Sequence, residues 1–569
     1  MSGIVLAVVI GLLGGLGAVG FRHLIAWFQS VFFGEGLDLL ARAQVLPWWK
    51  LILIPAVGGL FVGPIVYFFA REARGHGVPE VMEAVALRGG RIRKRVAAVK
   101  ALASSICIGS GGSVGREGPI IQIGSAIGSA AGQLLRVSES RMKTLVGCGA
   151  AAGIAATFNA PIAGAMFAIE VIVGEFGIIT FSPIVISSVI ATAVSRHMLE
   201  NTPAFPSLPA YDLVHVVEIP LYAVLGIVAA LLATGFSWIL YKGEDFFERR
   251  KRIPPYLMAS VGGLILGVIG IWFPQVFGNG YEAITLALNE QTGLGLLLIL
   301  VVMKTLATSV TLGSGGSGGV FAPSLFIGAM GGGAFGILVG RIPWLEGLVA
   351  SPGAYTLVGM GAVVAGTTHA PISAIIILFE MTGDYRIILP LMLACVISTL
   401  LSNHILKESI YTLKLVRRGL NIRAGRDVDL LRSIRVEDVM ERDVQTLGEN
   451  IPIHDVLDHF EESRHLTYPV VDSKGRLSGI VSYHDYAEAL RNEALQNLVL
   501  VGEVATRAVI TVHPEDDLSH ALHVIGNRHI ETLPVVDAAD PRRLVGILNQ
   551  QDILFAYQKA LARKSLAGR

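Results

Sequence analysis

Charged residues and cysteines are both scarce in this sequence. Only 16% of its 569 residues are charged, and the formal net charge is +1, which gives no electrostatic reason to expect a nucleic-acid partner. The three cysteines, Cys107, Cys148 and Cys395, lie far apart in apolar runs. They are too few and too scattered for a disulfide framework or a metal cluster, so we expect small core residues and no metal site.

Apolar residues are correspondingly abundant. The chain is 53% hydrophobic with a mean hydropathy of +0.62, which is far too apolar for a soluble protein of this length. Apolar runs continue to about Leu413, and charges become frequent beyond it. The first run continues to about Trp27 with no basic segment before it and no cleavage-like site, so it predicts a membrane helix and not a signal peptide.

Nine apolar runs are long enough to cross a bilayer, which requires about 20 apolar residues. They are Ile4–Trp27, Trp48–Ala70, Lys143–Val173, Ile178–Val194, Val217–Tyr241, Tyr256–Phe273, Gly293–Leu312, Tyr355–Leu378 and Ile387–Ile405. Three shorter runs are associated with glycine and proline motifs: Val96–Ile108, Pro119–Leu134 and Phe321–Val339. Such short, interrupted segments are typical of broken helices that line a cavity.

The membrane part repeats itself. PIIQIGSAIG at 119–128 matches PSLFIGAMGG at 323–332, and APIAGAMFAIE at 160–170 matches APISAIIILFE at 370–380. The two separations, 204 and 210 residues, are nearly equal, so two halves share one plan, as in many transporters. Basic clusters at 71–74, 88–95, 249–252 and 417–418 predict a single cytoplasmic face, shared with the C-terminal region.

One stretch, GSGGSVGREGP at 109–119, places Arg116 and Glu117 among glycines between two apolar runs. A carboxylate at membrane depth is costly and therefore indicates a functional site. Glycines let backbone approach a ligand, and a helix beginning near Pro119 directs free N–H groups and its positive dipole end at an anion. The alternative is a tight turn between helices in which Glu117 merely caps the backbone.

Three further segments have glycine or polar aromatic residues in similar surroundings: GHGVPE at 75–80, GGVFAP at 318–323 and KESIYTL at 407–413, which contains Tyr411. A phosphate-binding P-loop is rejected, because no Gly-Lys-Ser/Thr follows either glycine run and both runs lie in membrane-type sequence.

Together these motifs resemble those of the CLC chloride channels and proton/chloride exchangers, across nearly the whole membrane part. GREGP at 115–119 and GVFAP at 319–323 match two signature motifs closely, GHGVPE matches a third imperfectly, and FNAPIAGAMFAIE at 158–170 and KESIYTL also correspond. The resemblance implies an all-α polytopic membrane domain of two inverted repeats with broken helices. It also implies a homodimer in a lipid membrane with one anion pathway per subunit.

The resemblance also assigns roles to individual positions. Glu117 falls on the gating glutamate, whose carboxylate occupies an anion site and leaves when it is protonated or displaced. Contacts to chloride, or to another small monovalent anion, are implied for backbone near Gly77, Arg116, Gly118, Val320 and Phe321, and for the hydroxyl of Tyr411. Partial charges of this kind attract a monovalent anion without binding it as tightly as a buried cation would.

Two positions depart from the family pattern. His76 stands where most chloride members have a serine that contacts the ion; its ring can donate a hydrogen bond and could titrate near neutral pH, or it points away and only backbone amides meet the ion. Val171 stands where exchangers commonly have their internal proton-transfer glutamate, and channels commonly have valine. The substitution favours a channel, although some exchangers lack this glutamate. The neighbouring Glu170 is interpreted as structural.

The C-terminal region contains a second repeat. YPVVD at 468–472 with GIVSYHD at 479–485 is matched by LPVVD at 533–537 with GILNQQD at 546–552, which suggests small α/β units. The spacing resembles a tandem pair of cystathionine-β-synthase-type (CBS) domains. In that family, residues at the positions of Ser482, Asp485 and Asp552 can hold the ribose of an adenine nucleotide, though Asn549 weakens the second copy. The alternative is a dimerisation and coupling module without a ligand.

The resulting prediction is a passive chloride channel, gated by Glu117 and modulated by CBS domains, with no required cofactor. The alternatives are a proton/chloride exchanger on the same scaffold and, from another class, a CBS-linked membrane enzyme or cation transporter, for which we find only isolated carboxylates. A fluoride-specific member is disfavoured by GREGP and GVFAP. The predicted domains are membrane residues 1–413 (halves about 1–200 and 215–413), a linker at 414–432, and CBS domains at 433–495 and 496–560. We expect a cell (plasma or inner) membrane location with the C-terminal domain in the cytoplasm.

Overall fold

The structure is a computed structural model, which describes residues 2–35, 38–174, 176–199, 205, 211, 214–250, 253–345, 347–383, 385–418, 420, 431, 434–456, 467–489, 499–528 and 530–567. The chain divides into two compact units, residues 1–422 and 423–569, and the division falls within the predicted linker. Each unit is described by itself.

The regular structure of the first unit is helical in every segment that is described. Its first half contains α1 (Ser2–Phe33), α2 (Leu39–Val45), α3 (Trp48–Pro64), α4 (Val78–Leu87), α5 (Arg95–Gly109), α6 (Glu117–Leu134), α7 (Glu139–Phe158), α8 (Pro161–Phe167) and α9 (Ile178–Met198). Helices α3 and α8 continue as π-helical turns at Ile65–Phe69 and Ala168–Val173. A short 3₁₀ turn at Arg71–Ala73 precedes α4.

The second half contains α10 (Glu218–Glu248), α11 (Pro255–Trp272), α12 (Tyr281–Leu288), α13 (Leu294–Gly313), α14 (Phe321–Gly340), α15 (Pro352–Thr368), α16 (Pro371–Thr382), α17 (Ile388–Ile405) and α18 (Thr412–Arg417). Two 3₁₀ turns lie at Pro274–Val276 and Pro343–Leu345.

Within the described residues, eight helices are long and apolar enough to cross a membrane. They are Gly3–Phe33, Trp48–Phe69, Ile179–Met198, Glu218–Glu248, Pro255–Trp272, Leu294–Gly313, Phe321–Gly340 and Ile388–Ile405. The motif GVFAP lies at the start of α14, a 20-residue helix that is largely buried inside the protein. Its bounds match the expected run Phe321–Val339 within one residue, but the helix is long enough to cross a membrane and was wrongly left out of the spanning runs.

Two predicted spans were wrong as single helices. Residues 143–173 and 355–378 each contain a break, at Asn159 and His369, which adopt left-handed conformations with φ of 60° and 56°. The next two residues at both breaks are Ala-Pro, and a proline disfavours helical geometry in the residue before it. Each apolar run therefore folds as two helices, α7 with α8 and α15 with α16.

The two halves are related by a local twofold axis, and residues 204 positions apart in the sequence occupy equivalent places around it. Gly115 and Gly319 exchange backbone hydrogen bonds, N to O, of 2.8 and 2.6 Å in an antiparallel bridge. Equivalent residues that pair antiparallel must belong to oppositely directed segments, so the repeats are inverted. The buried Lys100 and Lys304 are likewise equivalent, and each donates to two backbone carbonyls of a nearby loop.

The N-terminal ends of α8 and α16 are capped across the repeats. The carboxylate of Glu170 accepts the N–H groups of Ile372 (3.3 Å) and Ser373 (2.8 Å) at the start of α16. Glu380 accepts those of Ile162 (3.1 Å) and Ala163 (2.7 Å) at the start of α8. A carboxylate at a helix start satisfies otherwise unpaired donors and complements the dipole, which agrees with a structural role for Glu170.

The second unit is α/β. Strands β1 (Leu447–Gly448), β2 (Thr467–Val471) and β3 (Leu477–Ser482) form one sheet, and β4 (Thr532–Val536) and β5 (Leu544–Asn549) form another. The strand pairs β2–β3 and β4–β5 are antiparallel and carry register shifts at equivalent positions, as expected for a repeat. The helices in the described part of this unit are α19 (Tyr483–Ala489), α20 (Val501–Val504), α21 (Leu518–Arg528) and α22 (Gln550–Ala567).

Candidate functional site

Glu117 is the first residue of α6, and its side chain is buried with 1% exposure. One carboxylate oxygen, Oε1, accepts a hydrogen bond of 2.6 Å from the hydroxyl of Tyr281, while Oε2 has no hydrogen-bond partner among the described residues. Gly115 leaves the space that Oε2 occupies, since a Cβ on this residue would lie 2.0 Å from it. The guanidinium of Arg116 lies 5.6 Å from the centre of the Tyr281 ring. The carboxylate is therefore held on one side and unpartnered on the other.

Backbone hydrogen bonds bring the three glycine-rich segments together. Gly75 N–H donates to Gly316 O (3.1 Å), and Gly318 N–H donates to Gly75 O (3.3 Å). Gly115 and Gly319 pair as described above, which joins the Glu117 segment to the same point. Segments more than 200 residues apart in the chain thus share one small region of backbone.

Three helices begin at this region: α4 after Gly77, α6 after Arg116 and α14 after Val320. None of these three caps has a side-chain hydrogen bond in the described part of the chain, so the first N–H groups of each helix keep the positive end of the dipole uncapped. Gly118 permits the close approach, since a Cβ there would lie 2.1 Å from the carbonyl oxygen of His76.

His76 is fully buried, and neither of its ring nitrogens has a hydrogen-bond partner among the described residues. Its ring lies 6.4 Å from the ring of Tyr411 and 6.3 Å from that of Tyr241. Tyr411 is itself 1% exposed and contacts Phe167, whose ring lies 6.4 Å from Phe321 at the start of α14. The predicted anion-binding residues are thus brought together, with an unpartnered polar ring beside Tyr411.

Val171 is buried in the π-helical turn Ala168–Val173 that follows α8. Its neighbour Glu170 is committed to the start of α16, as described above. The turn therefore provides a capping carboxylate and an apolar side chain at successive positions, and no titratable group at position 171.

The predicted nucleotide residues lie where strands lead into helices. Ser482 Oγ donates to Asp485 Oδ2 (2.7 Å), and the backbone N–H of Ser482 donates to the same oxygen (2.9 Å) at the start of α19. In the second copy, Asn549 N–H donates to Asp552 Oδ2 (3.0 Å) at the start of α22. These side chains cap their own helices, which is a structural role that either a ligand-binding or a ligand-free module can contain.

Sequence reasoning missed several residues around Glu117. Tyr281, Gly115, Lys100 and Lys304 were not singled out, although the 204-residue offset relates Lys100 to Lys304 and Gly115 to Gly319. The sequence signal that could have found these two pairs was the 204-residue offset, applied to every residue of the repeat. It could not have found Tyr281, because the equivalent residue in the first half is Val78, an apolar residue at the start of α4.

In this site, uncapped helix N-termini from both inverted halves converge on one buried carboxylate. This arrangement defines a membrane protein for anion transport. The model of the family described as voltage gated chloride channel matches residues 58–403, and the CBS domain model matches residues 436–492 and 501–559.

Relatives agree with these matches. A putative chloride channel protein, ClcB-like, from Ralstonia nicotianae is 36% identical over 72% of this chain and 96% of its own length. Chloride channel protein CLC-f from Arabidopsis thaliana is 27% identical over 98% of this chain and 80% of its own. The crystal structure of a slow cyanobacterial Cl−/H+ antiporter superposes with a TM-score of 0.66 at 27% identity, covering 74% of this chain and 98% of that one.

The chain belongs to the CLC family of voltage-gated chloride channels and carries two CBS domains. The predicted family and the predicted fold class are confirmed, and the protein is a multi-pass membrane protein of an anion-transporting family of channels and transporters.

Proposed function

We propose that this protein is a chloride channel that moves anions passively through one pore per subunit, with Glu117 as its gate. The observation that carries the proposal is the Glu117 carboxylate, buried where α4, α6 and α14 direct uncapped N-termini. Chloride carries the same charge as the carboxylate and is attracted by the same helix N-termini. The carboxylate and chloride therefore compete for one binding site. The chemistry is displacement of a carboxylate by an ion.

The absence of a titratable group at Val171 supports a channel over an exchanger, because valine cannot pass a proton inward. The name of the Ralstonia relative also favours a channel, whereas the cyanobacterial structure is that of a Cl−/H+ antiporter. A proton/chloride exchanger on the same scaffold is therefore the second candidate. In that case protons reach Glu117 by a route that does not use residue 171.

The test is a reversal potential measured on purified protein in planar bilayers, with a proton gradient across a symmetric chloride solution. A passive channel gives a reversal potential that stays at zero when the pH of one side changes. A shift in the direction of proton-coupled exchange supports the second candidate and contradicts the first. Glu117→Gln mimics the protonated gate, and we expect it to conduct without the gating of the wild type; unchanged gating would contradict the role of Glu117.

His76, with two unpartnered ring nitrogens beside Tyr411, is proposed to donate a ring N–H to the anion. His76→Ser restores the residue type that chloride members of the family commonly have. We expect a change in the relative permeability of chloride and nitrate, measured from bi-ionic reversal potentials. Identical permeability ratios would support the alternative, in which only backbone amides meet the ion.

We also propose a homodimer in the cell membrane with the CBS domains in the cytoplasm. Arg71, Arg93 and Arg418, from three of the basic clusters, line one pocket, and Arg93 pairs with Glu72, which supports one shared face. An adenine nucleotide at Ser482, Asp485 or Asp552 is a further proposal. Calorimetric titration of the whole protein with ATP tests it, and absence of binding supports the ligand-free coupling module.

A further inference from the structure

We infer that Tyr281 is a positioning residue that holds the Glu117 carboxylate in its buried place, and so sets how easily the pore opens. The inference rests on the proposed gating role of Glu117. It adds a second side chain to the gate, from the opposite half of the repeat, 164 residues away in the chain.

The contact itself is short and involves a charged acceptor. Tyr281 Oη donates to Glu117 Oε1 at 2.6 Å, a distance typical of an O–H donor bound to a carboxylate. The other carboxylate oxygen has no partner among the described residues. Tyr281 is thus the side chain whose hydrogen bond must break before the carboxylate can leave this position.

The phenol ring is held from two sides. Arg116 lies 5.6 Å from the ring centre, and the ring of Phe205 meets it edge-on at 5.7 Å. A ring fixed in this way loses little conformational freedom when its hydroxyl donates, so more of the hydrogen-bond energy remains to stabilise the occupied gate.

The backbone that precedes Tyr281 is also fixed in position by its neighbours. Gly280, directly before it, has φ of +81°, and a Cβ there would lie 2.6 Å from the Phe326 ring. Lys304 Nζ donates to the carbonyls of Val276 (3.0 Å) and Gly278 (2.9 Å) in the same loop. Helix α12 therefore begins at a position determined by α13 and α14.

The inverted repeat makes this contact one-sided. In this loop the equivalent residues are 203 positions apart: Gly77 and Gly280 both precede a helix with positive φ, and the equivalent of Tyr281 is Val78, whose side chain cannot donate a hydrogen bond. One half of the repeat thus supplies the gating carboxylate together with a valine, and the other half supplies the phenol. An asymmetric hydrogen bond holds the carboxylate toward the second half, whereas the backbone around it keeps the twofold relation.

The test is Tyr281→Phe, which removes the hydroxyl and keeps the ring. We expect the ratio of open to closed gates, obtained from open probability in bilayer recordings, to rise about tenfold or more.

Tyr211→Phe is the matched control. Its hydroxyl donates over the same 2.6 Å, but to the backbone carbonyl of Leu288 and not to the gate. It should lower thermal stability about as much as Tyr281→Phe and leave the open probability unchanged. Equal changes in the two variants would overturn the inference, since they would reflect a general loss of packing.

The double variant Tyr281→Phe with Glu117→Gln separates this inference from the proposed function. If Tyr281 acts through the carboxylate, its substitution adds no effect in the Glu117→Gln background. If Glu117→Gln alters gating while Tyr281→Phe behaves as wild type, the positioning role fails and the gate remains. If Glu117→Gln leaves gating unchanged, the proposed function itself fails.

Discussion

Substitution of Gly115 by alanine should open the pore by steric displacement of the gate. A Cβ at this position would lie 2.0 Å from Glu117 Oε2, whereas ordinary contacts begin at about 3.4 Å. The φ of Gly115 lies outside the left-handed region, so alanine introduces no backbone strain there. The other close atoms, Cβ and N of Ala322 at 3.0 and 3.2 Å, require shifts of only a few tenths of an ångström.

The carboxylate is the end of a flexible side chain and is therefore the group that moves. Its movement breaks the hydrogen bond from Tyr281, and a hydrogen bond to a charged group contributes about 1.5–3 kcal/mol. Since 1.4 kcal/mol corresponds to a factor of ten, the ratio of open to closed gates should rise about 10- to 150-fold. Gly115→Ala should thus resemble Glu117→Gln.

The assay is open probability in planar bilayers, with chloride efflux from liposomes as a second measurement. Gly235→Ala on α10 is the matched control, because a Cβ there meets nothing within 4 Å. Combining Gly115→Ala with Glu117→Gln should give an effect smaller than the sum of the two. A Gly115→Ala protein that elutes normally on size exclusion yet gates as wild type would refute the steric argument.

Two predictions concern the scaffold around the site. Replacing Glu170 or Glu380 by alanine should each lower the free energy of unfolding by about 1–3 kcal/mol, measured as a loss of thermal stability in detergent, because each caps a helix start; the loss should be larger for Glu170, which also accepts a hydrogen bond from the hydroxyl of Ser373 (2.5 Å), and a larger loss for Glu380 would contradict this ordering. Replacing Lys100 or Lys304 by methionine should also destabilise the fold, since each substitution removes a charged donor from two backbone carbonyls. Only Lys304→Met should also raise the open probability, through the Tyr281 loop, and an equal rise in Lys100→Met would contradict that route.

The sequence by itself determined the family, the fold class and the internal repeat of this protein. Motifs such as GREGP and GVFAP are local, because a glycine-rich turn followed by a helix start depends on neighbouring residues only. Hydropathy similarly located most of the membrane helices, since length and apolarity are properties of a continuous segment. Where it failed, at Asn159 and His369, the apolar run continued through a break, and hydropathy does not register the Ala-Pro pair that follows each of these residues.

Tertiary structure alone decided how the gate is held. The hydrogen bond from Tyr281 to Glu117 joins residues 164 positions apart, and no periodicity relates a phenol in one half to a carboxylate in the other. The same is true of the 2.0 Å approach that makes Gly115 necessary and of the convergence of three helix starts. Contacts of this kind depend on how two inverted halves are packed against each other, and packing is a property of the whole fold that no single segment encodes.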